Sequence, residues 1–343
     1  MTYHRIINTD SANLSQIDAG SVNLIVTSPP YPMIEMWDEM FISQNPEIEN
    51  LISNGQGEDA FEKMHSVLNS VWNECNRVLA DNGFVCINIG DATRTFNNEF
   101  KLYSNHSKII NYFTKLGYSV LPDILWRKQS NSPNKFMGSG MYPAGAYVTY
   151  EHEYILVFRK GGKRIFKGEE KRLRQKSAYF WEERNVWFSD LWDIKGVSQT
   201  IKNNSNTRLR NASYPFEIPY RLVNMYSAEG DTVLDPFCGF GTTNLACIAS
   251  KRNSIGVEID PEIAVAATER ITTDTSTINS LIENRLCNHL NFIASLPDEK
   301  KEKCYLNTPH SFPVKTKQET AIHIQMLKSI AKAEENNIIC TYA

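Results

Sequence analysis

Short apolar runs alternate along this chain with stretches whose apolar residues recur every three or four positions. The runs are YHRIINT (3 to 9), SVNLIVT (21 to 27), GFVCINIG (83 to 90), SVLPDILWRK (119 to 128), HEYILVFRK (152 to 160), DTVLDPF (231 to 237) and NSIGVEID (253 to 260). Runs of this length bounded by turn residues predict strands, and the three- and four-residue spacing predicts helices over 59 to 80, 105 to 116, 216 to 228, 242 to 251 and 261 to 273. The helix at 216 to 228 meets its strand through AEGD, a helix stop. Alternation of this kind points to an α/β protein, and seven strands suffice for one doubly wound, mostly parallel seven-stranded sheet.

Two regions break the alternation. Residues 129 to 150 are rich in Gly, Ser, Pro and aromatics and read as an elaborated loop. Residues 161 to 213 mix a basic block with the aromatic YFWEERNVWFSDLWDI and the polar SQTIKNNSNTRLRNAS, a composition that suggests an insertion or small second lobe. The pattern divides the chain into an α/β body (1 to 128 and 214 to 273, with the strand at 152 to 160), an inserted region at 129 to 213, and a helical extension at 274 to 343 with an amphipathic helix near 318 to 335.

Composition narrows the class. At 343 residues, with 41% hydrophobic content, the chain can bury a substantial core. No run reaches the roughly 18 apolar residues a membrane helix needs, and MTYHRIINTD lacks the apolar core of a signal peptide, so a cytoplasmic protein without a membrane partner is expected. The seven cysteines include no C-x-x-C pair, which argues for reduced thiols rather than a disulfide frame or metal site. A formal net charge of −3 gives no global sign of a polyanionic partner. Locally, residues 159 to 176 carry nine Lys/Arg against two Glu, a candidate phosphate-binding surface.

Two segments carry chemistry. The strand at 21 to 27 stops at TSPPYPM: Pro29 and Pro30 lack backbone N–H groups and fix their own φ, which forbids helix and central strand alike. The second segment, VLDPFCGFGTTNLACIASKRNSIGVEID (233 to 260), reads as strand, glycine turn, helix and strand, with an acidic residue at the end. Gly239 and Gly241 allow a sharp turn and close approach of a ligand. The helix that follows offers free N–H groups at its start, with the Thr242 and Thr243 hydroxyls beside them. Glu258 is placed to accept hydrogen bonds from a ribose diol. A dinucleotide fingerprint would want a third glycine at position 244, where Asn244 stands, so the fit to NAD is poor.

TSPPY (27 to 31), DPFCGFGTT (235 to 243) and GVEID (256 to 260) together resemble the S-adenosylmethionine-dependent DNA amino-methyltransferases, which modify exocyclic nitrogens. The catalytic segment precedes the cofactor segment, as in the permuted β group of that family. NTDSANL (8 to 14), ILWRK (124 to 128), HEYILVFRKG (152 to 161), SDLWDI (189 to 194) and SYPFEIPYRLV (213 to 223) extend the resemblance over residues 4 to 273. It implies a Rossmann-like sheet with an inserted target-recognition region, and S-adenosylmethionine as cofactor.

The resemblance gives the proline stop a mechanism. An exocyclic amino nitrogen is a poor nucleophile because its lone pair is delocalised into the ring. Rigidly held acceptors for its N–H groups favour a pyramidal nitrogen. The Ser28 hydroxyl and the Pro29 carbonyl are the candidate acceptors, Pro30 completes the rigid mount, and Tyr31 would stack on a base flipped out of the duplex. The cofactor would be held by the loop of Asp235, Pro236, Phe237, Cys238, Gly239, Gly241, Thr242 and Thr243. Asp10 resembles the carboxylate that meets the adenine amino group, Asp235 the acid facing the cofactor's ammonium, and Phe216 part of a segment closing over its methionine end. Cys238 reads as a small packing residue, since no covalent intermediate is required.

Many adenine-N6 enzymes of this family have Asp or Asn where Ser28 stands, and a neutral hydroxyl resembles the cytosine-N4 subset. The expected partners are double-stranded DNA and, functionally, a restriction endonuclease, with the enzyme acting as a monomer or homodimer. Lys160, Lys163, Arg164, Arg172 and Arg174 are the candidate phosphate contacts.

Overall fold

The computed structural model describes residues 1–128, 141–196, 214–273, 275–333 and 337–343. Fourteen strands are formed among them: β1 (Thr2–Asn8), β2 (Val22–Thr27), β3 (Leu79–Ile89), β4 (Ala92–Phe96), β5 (Glu99–Tyr103), β6 (Ser119–Arg127), β7 (His152–Arg159), β8 (Leu191–Asp193), β9 (Thr232–Asp235), β10 (Asn253–Glu258), β11 (Tyr305–Leu306), β12 (Pro313–Val314), β13 (Leu327–Lys332) and β14 (Asn337–Tyr342). Ten of them build one sheet in the order β13-β14-β1-β10-β9-β2-β3-β7-β6-β8. The five central strands, β1, β10, β9, β2 and β3, are parallel to one another, whereas β14 and β7, which flank them, run antiparallel.

Side chains alternate across the central strands, as a two-residue period requires. Ile6, Leu24, Val26, Cys86 and Val233 point into one core, while Ile7, Ile25, Val85, Ile87 and Leu234 point into another on the opposite face. The first core is closed by α7 (Glu217–Tyr226), α8 (Thr242–Ala249), α9 (Pro261–Thr273) and α10 (Thr275–Ser295). The second lies under α1 (Asp38–Gln44), α2 (Glu47–Ser53), α3 (Gly57–Val78) and α4 (Asn105–Lys115). Because both faces are covered, the central strands read as continuous apolar runs rather than polar–apolar alternations.

All seven expected strands and all five expected helices form, with ends shifted by a few residues. The sheet is larger than the expected seven strands, since β8, β13 and β14 join it. The tail departs most from expectation. Within the helix predicted over 318 to 335, Leu327–Lys332 is instead a strand, paired antiparallel with β14, which in turn pairs with β1 through Thr2 and Cys340, Tyr3 and Ile339, His4 and Ile338. Ile338 and Cys340 are buried at alternate positions, so an available sheet edge overrode a helical pattern.

Described parts of the region expected as an insertion pack on the sheet and on α10. β8 extends the sheet beside β6. Helix α6 (Trp181–Trp187) docks on α10, where Arg285 donates to Glu183 at 2.6 and 2.9 Å and His289 Nδ1 lies 2.7 Å from Glu182. Among the described residues no helix is long and apolar enough to cross a membrane, and no cluster of His, Cys, Asp or Glu is suited to a metal ion.

Candidate active site

After β9 the chain winds outward to β10, and after β2 it winds the other way to β3, so the winding reverses between these adjacent strands. A reversal of this kind opens a crevice at the carboxyl ends of the strands. A cleft of about 720 Å³ lies there. Asp10 after β1, Glu258 on β10, Pro236–Gly239 after β9, Ser28–Tyr31 after β2, Asn88 on β3 and Glu153 at the start of the antiparallel β7 all line it.

Two loops far apart in sequence are tied together at its floor. Asp235 is 3% exposed and accepts four hydrogen bonds: from Thr27 Oγ1 at 2.6 Å, Phe237 N at 3.1 Å, Tyr214 Oη at 3.2 Å and Thr243 Oγ1 at 2.5 Å. Burial raises its pKa, against the pull of these donors. Thr27 precedes Ser28, so the carboxylate of the cofactor loop fixes the root of the proline loop. Each such bond to a buried charge contributes about 1.5–3 kcal/mol.

Gly239 and Gly241 both take positive φ, 49° and 73°. A Cβ on Gly239 would meet nothing within 4 Å, so its outer side is open space. Glu258 commits Oε2 to Gly239 N at 3.0 Å and Oε1 to Asp260 N at 3.0 Å, which aims the carboxylate from the end of β10 at the glycine loop. Burial raises its pKa as well. Asp10 lines the cleft with Oδ1 accepting from Ala12 N at 2.8 Å. Thr242 also lines it, whereas Gly241 and Thr243 stand behind the wall, Thr243 bonded to Asp235. Phe216 does not line the cleft; its ring stacks on Tyr220, with centroids 5.3 Å apart. Burial pushes the Cys238 thiol well above its ordinary pKa, in keeping with a packing role.

The proline loop carries a directed hydrogen-bond network. Tyr31 Oη donates to Glu153 Oε2 at 2.8 Å, and Asn88 Nδ2 donates to Tyr31 Oη at 2.8 Å and to Glu153 Oε2 at 2.6 Å. Ser28 Oγ lies 3.1 Å from Tyr31 Oη. With the phenolic proton committed to Glu153, the serine hydroxyl must donate to Tyr31; Asn88 Nδ2 reaches one of its lone pairs at 3.4 Å, which leaves the other for an incoming donor. Gly90 packs beneath the tyrosine ring, where a Cβ would stand 3.0 Å from Tyr31 Cε2. Pro32 is braced by Asn105 Nδ2, which donates to its carbonyl at 3.1 Å.

Sequence reasoning missed Asn88, Glu153, Lys128 and Tyr214. INIG and WRK–HEY place polar residues at the ends of otherwise apolar strands, a signal that could have found the first three, whereas Tyr214, in the loop ahead of α7, carries no such mark. Asn88 is 2% exposed, and its Oδ1 is a buried acceptor with no hydrogen-bond partner. Lys128 pairs with Glu153 Oε1 and lies over the Trp126 ring at 4.7 Å.

The candidate phosphate contacts are displaced from this site. β7 is antiparallel, so its exit at Lys160 lies beside the start of β3, where Lys160 N donates to Gly83 O at 3.0 Å. That is the opposite end of the sheet, about 20 Å from the cleft at roughly 3.3 Å per residue along β3. Lys160 Nζ donates to the carbonyls of Asn76 and Leu79 at the end of α3, at 2.7 and 2.8 Å. Arg164 is clamped on Asp231 at 2.8 Å, Arg172 pairs with Glu169, and Arg174 lies over the Phe166 ring. Lys163 is exposed on the same edge. The five cations thus sit at the end of the sheet away from the cleft, and Lys160 and Arg164 are engaged within the fold. By contrast, Lys128 and Glu153 on either side of the β6–β7 connection and Tyr214 ahead of α7 line the cleft, and Asp193, the last residue of β8, pairs with Arg127 at the same end of the sheet; residues 129–140 and 197–213 lie outside the described residues.

The family model described as DNA methylase, which covers N6 and N4 methyltransferases, matches residues 22–269. The type II methyltransferase M.MthZI of Methanothermobacter thermautotrophicus is 50% identical over 338 residues, 98% of this chain and 94% of that protein. M.MjaI of Methanocaldococcus jannaschii is 51% identical over 281 residues, covering 79% of this chain and 91% of its own length. Among solved structures, a candidate DNA modification methylase from Thermus thermophilus, complexed with S-adenosyl-L-methionine, superposes with a TM-score of 0.61 at 30% identity over 78% of this chain and 95% of its own. The PvuII cytosine-N4-specific DNA methyltransferase shares the fold, with a TM-score of 0.53 at 18% identity over 84% of this chain and 94% of its own. On these matches, and on the cleft that joins its two motifs, the chain belongs to the N6/N4 DNA methylase family.

Proposed function

We propose that this DNA methyltransferase transfers a methyl group from S-adenosylmethionine to the exocyclic N4 of a cytosine flipped out of double-stranded DNA. We further propose that it protects host DNA, in the cytoplasm, from a restriction endonuclease of the same specificity. The observation that carries the reading is the bond between Thr27 Oγ1 and Asp235 Oδ1 at 2.6 Å, which sets the proline loop and the cofactor loop side by side in one cleft.

The lining suits the cofactor. Its volume lies within the range of small-molecule sites, and the open side of Gly239 lets a ligand approach the backbone. Glu258 would accept from the ribose hydroxyls, Asp10 from the adenine amino group, and Asp235 with its loop would face the methionine end, between Phe237 and Phe240. When bound, S-adenosylmethionine supplies an electrophilic methyl group, which the amino nitrogen takes by in-line displacement while the carbon–sulfur electron pair stays on sulfur. Ser28 Oγ and the Pro29 carbonyl accept the two amino hydrogens, Asn88 holds Tyr31 and Glu153 from behind, and Tyr31 stacks on the base. Held by prolines and buried polar bonds, these acceptors need no reorganisation as the nitrogen pyramidalises.

The neutral Ser28 favours cytosine over adenine, and the segments joining β6 to β7 and β8 to α7 are the candidates for target recognition. Incubation with labelled S-adenosylmethionine and DNA from a methylation-deficient host, followed by digestion to nucleosides, tests the reading. Label is expected in N4-methylcytosine. N6-methyladenine would reassign the base, and no transfer to DNA would overturn the function.

A further inference from the structure

We propose that Glu153 terminates a proton relay, Ser28 Oγ to Tyr31 Oη to Glu153 Oε2, that removes the surplus proton from the methylated amino nitrogen. The inference rests on the function proposed above and assigns a part of it to a residue outside both motifs.

An amino nitrogen that has bonded to a methyl group carries two hydrogens and a positive charge, and one proton must leave. Ser28 lines the cleft, and its Oγ, with one lone pair left open, is the acceptor placed to take it. As the N–H bond breaks, its electron pair returns to nitrogen and the proton bonds to Ser28 Oγ. The serine's own proton then passes to Tyr31 Oη over 3.1 Å, and the phenolic proton passes to Glu153 Oε2 over 2.8 Å. Ser28 and Tyr31 end as they began, and Glu153 becomes a neutral acid that later loses its proton to water.

Three features fit a relay better than a passive brace. Both links are already oriented toward the carboxylate, because the phenolic proton points at Glu153. Asn88 Nδ2 bridges Tyr31 Oη and Glu153 Oε2, holding the second link at transfer distance. Lys128, paired with Glu153 Oε1, is 44% exposed in its side chain and gives the carboxylate, 9% exposed, a charged neighbour open to solvent. Burial and the charge of Glu153 hold the Tyr31 hydroxyl well above its ordinary pKa, so it passes a proton only by taking one as it gives one. The titratable groups that face Glu153 are Tyr31 from the β2 loop and Lys128 from the end of β6. Beyond Gly90, Asp91 is engaged by His106 Nδ1 at 2.7 Å.

The test is single-turnover transfer of labelled methyl to DNA, with enzyme and cofactor saturating, in H2O and in D2O, for wild type, Glu153→Gln and Tyr31→Phe. Titration calorimetry measures S-adenosylmethionine binding alongside. Wild type should slow in D2O, because protons move along the relay. Glu153→Gln keeps the shape and an acceptor for Tyr31 but cannot take a proton. Its rate should fall by at least about 10²-fold, the lower end of general acid–base effects, with cofactor affinity within about twofold of wild type and the solvent isotope effect reduced. A smaller fall, or an undiminished solvent isotope effect, overturns the relay. If Glu153→Gln does not fold, Tyr31→Phe, which deletes one oxygen and keeps the ring on Gly90, is held to the same two criteria. Wild type that transfers no label to DNA overturns the function itself, whereas an active wild type with an unimpaired Glu153→Gln overturns only the relay.

Discussion

The two ends of the central sheet make opposite use of charge. At the carboxyl end, Asp235, Glu258 and Glu153 lie within or beside the cleft, and their bonds lead to groups that face it. At the amino end, the most basic stretch of the chain turns inward or pairs on the surface: Lys160 caps the last carbonyls of α3, and Arg164 is clamped on Asp231. Local charge density thus does not mark the cleft. The direction of β7 decides this: running antiparallel, it delivers the basic block to the opposite end of the sheet.

The comparison breaks most sharply at the acceptor. Ser28→Ala should lower the single-turnover rate by about 10²- to 10³-fold, the cost of losing one preorganised hydrogen-bond partner, and leave S-adenosylmethionine affinity within about twofold by calorimetry. Undiminished transfer would remove the serine from the mechanism. At the other end, Arg164→Ala should cost about 2 kcal/mol in urea unfolding, since Asp231 is left buried with its charge less satisfied. Methyl transfer below the melting range should stay within about twofold. A large loss of activity without loss of stability would return Arg164 to the site.

A triple reversal, Lys163→Glu, Arg172→Glu and Arg174→Glu, sharpens the contrast on the surface. The slope of log affinity for DNA against log salt should stay within about one of wild type, whereas three lost phosphate contacts would reduce it by roughly 2.7. The smallest effect is expected where α6 meets the tail. Burial of His289 disfavours its charged form, but the bond to Glu182, the Pro313 carbonyl and the Glu182 charge outweigh it, and the pKa is raised. The pairing is therefore fully present below the unfolded value of about 6.5 and fades as pH rises through the folded value. The melting-temperature gap between wild type and Glu182→Gln should be widest near pH 6 and narrow toward pH 9. A gap that widens with pH would contradict the assignment.

Much of the fold was legible because buried parallel strands and amphipathic helices write their periods directly into the residues. GFVCINIG could hardly be anything but a covered strand, and AEGD could only end a helix. The tail was misread because MLKSIA satisfies a helical spacing and a strand equally well, and the edge of β1 decided between them. The motif residues of the site were legible for a different reason: a proline pair and a glycine turn are local conformational constraints that need no partner to be recognised. Asn88, Glu153 and Tyr214 have no such mark. Each is an ordinary polar residue at a strand end or loop, and its meaning comes from neighbours distant in sequence: Ser28 and Glu153 lie 60 and 65 positions from Asn88, and Asp235 lies 21 from Tyr214.

The sequence by itself determined that a rigid acceptor loop and a nucleotide-type turn would each follow a buried strand, because those requirements are set by backbone geometry within a few residues. Only the tertiary structure decided that the two would share a cleft, that Asp235 would lock them together, and that a carboxylate from β7 would stand behind the serine. It also decided that the basic block would face away. Those outcomes depend on strand order and direction, which arise from burying both faces of the sheet at once, and no local stretch of residues specifies them alone.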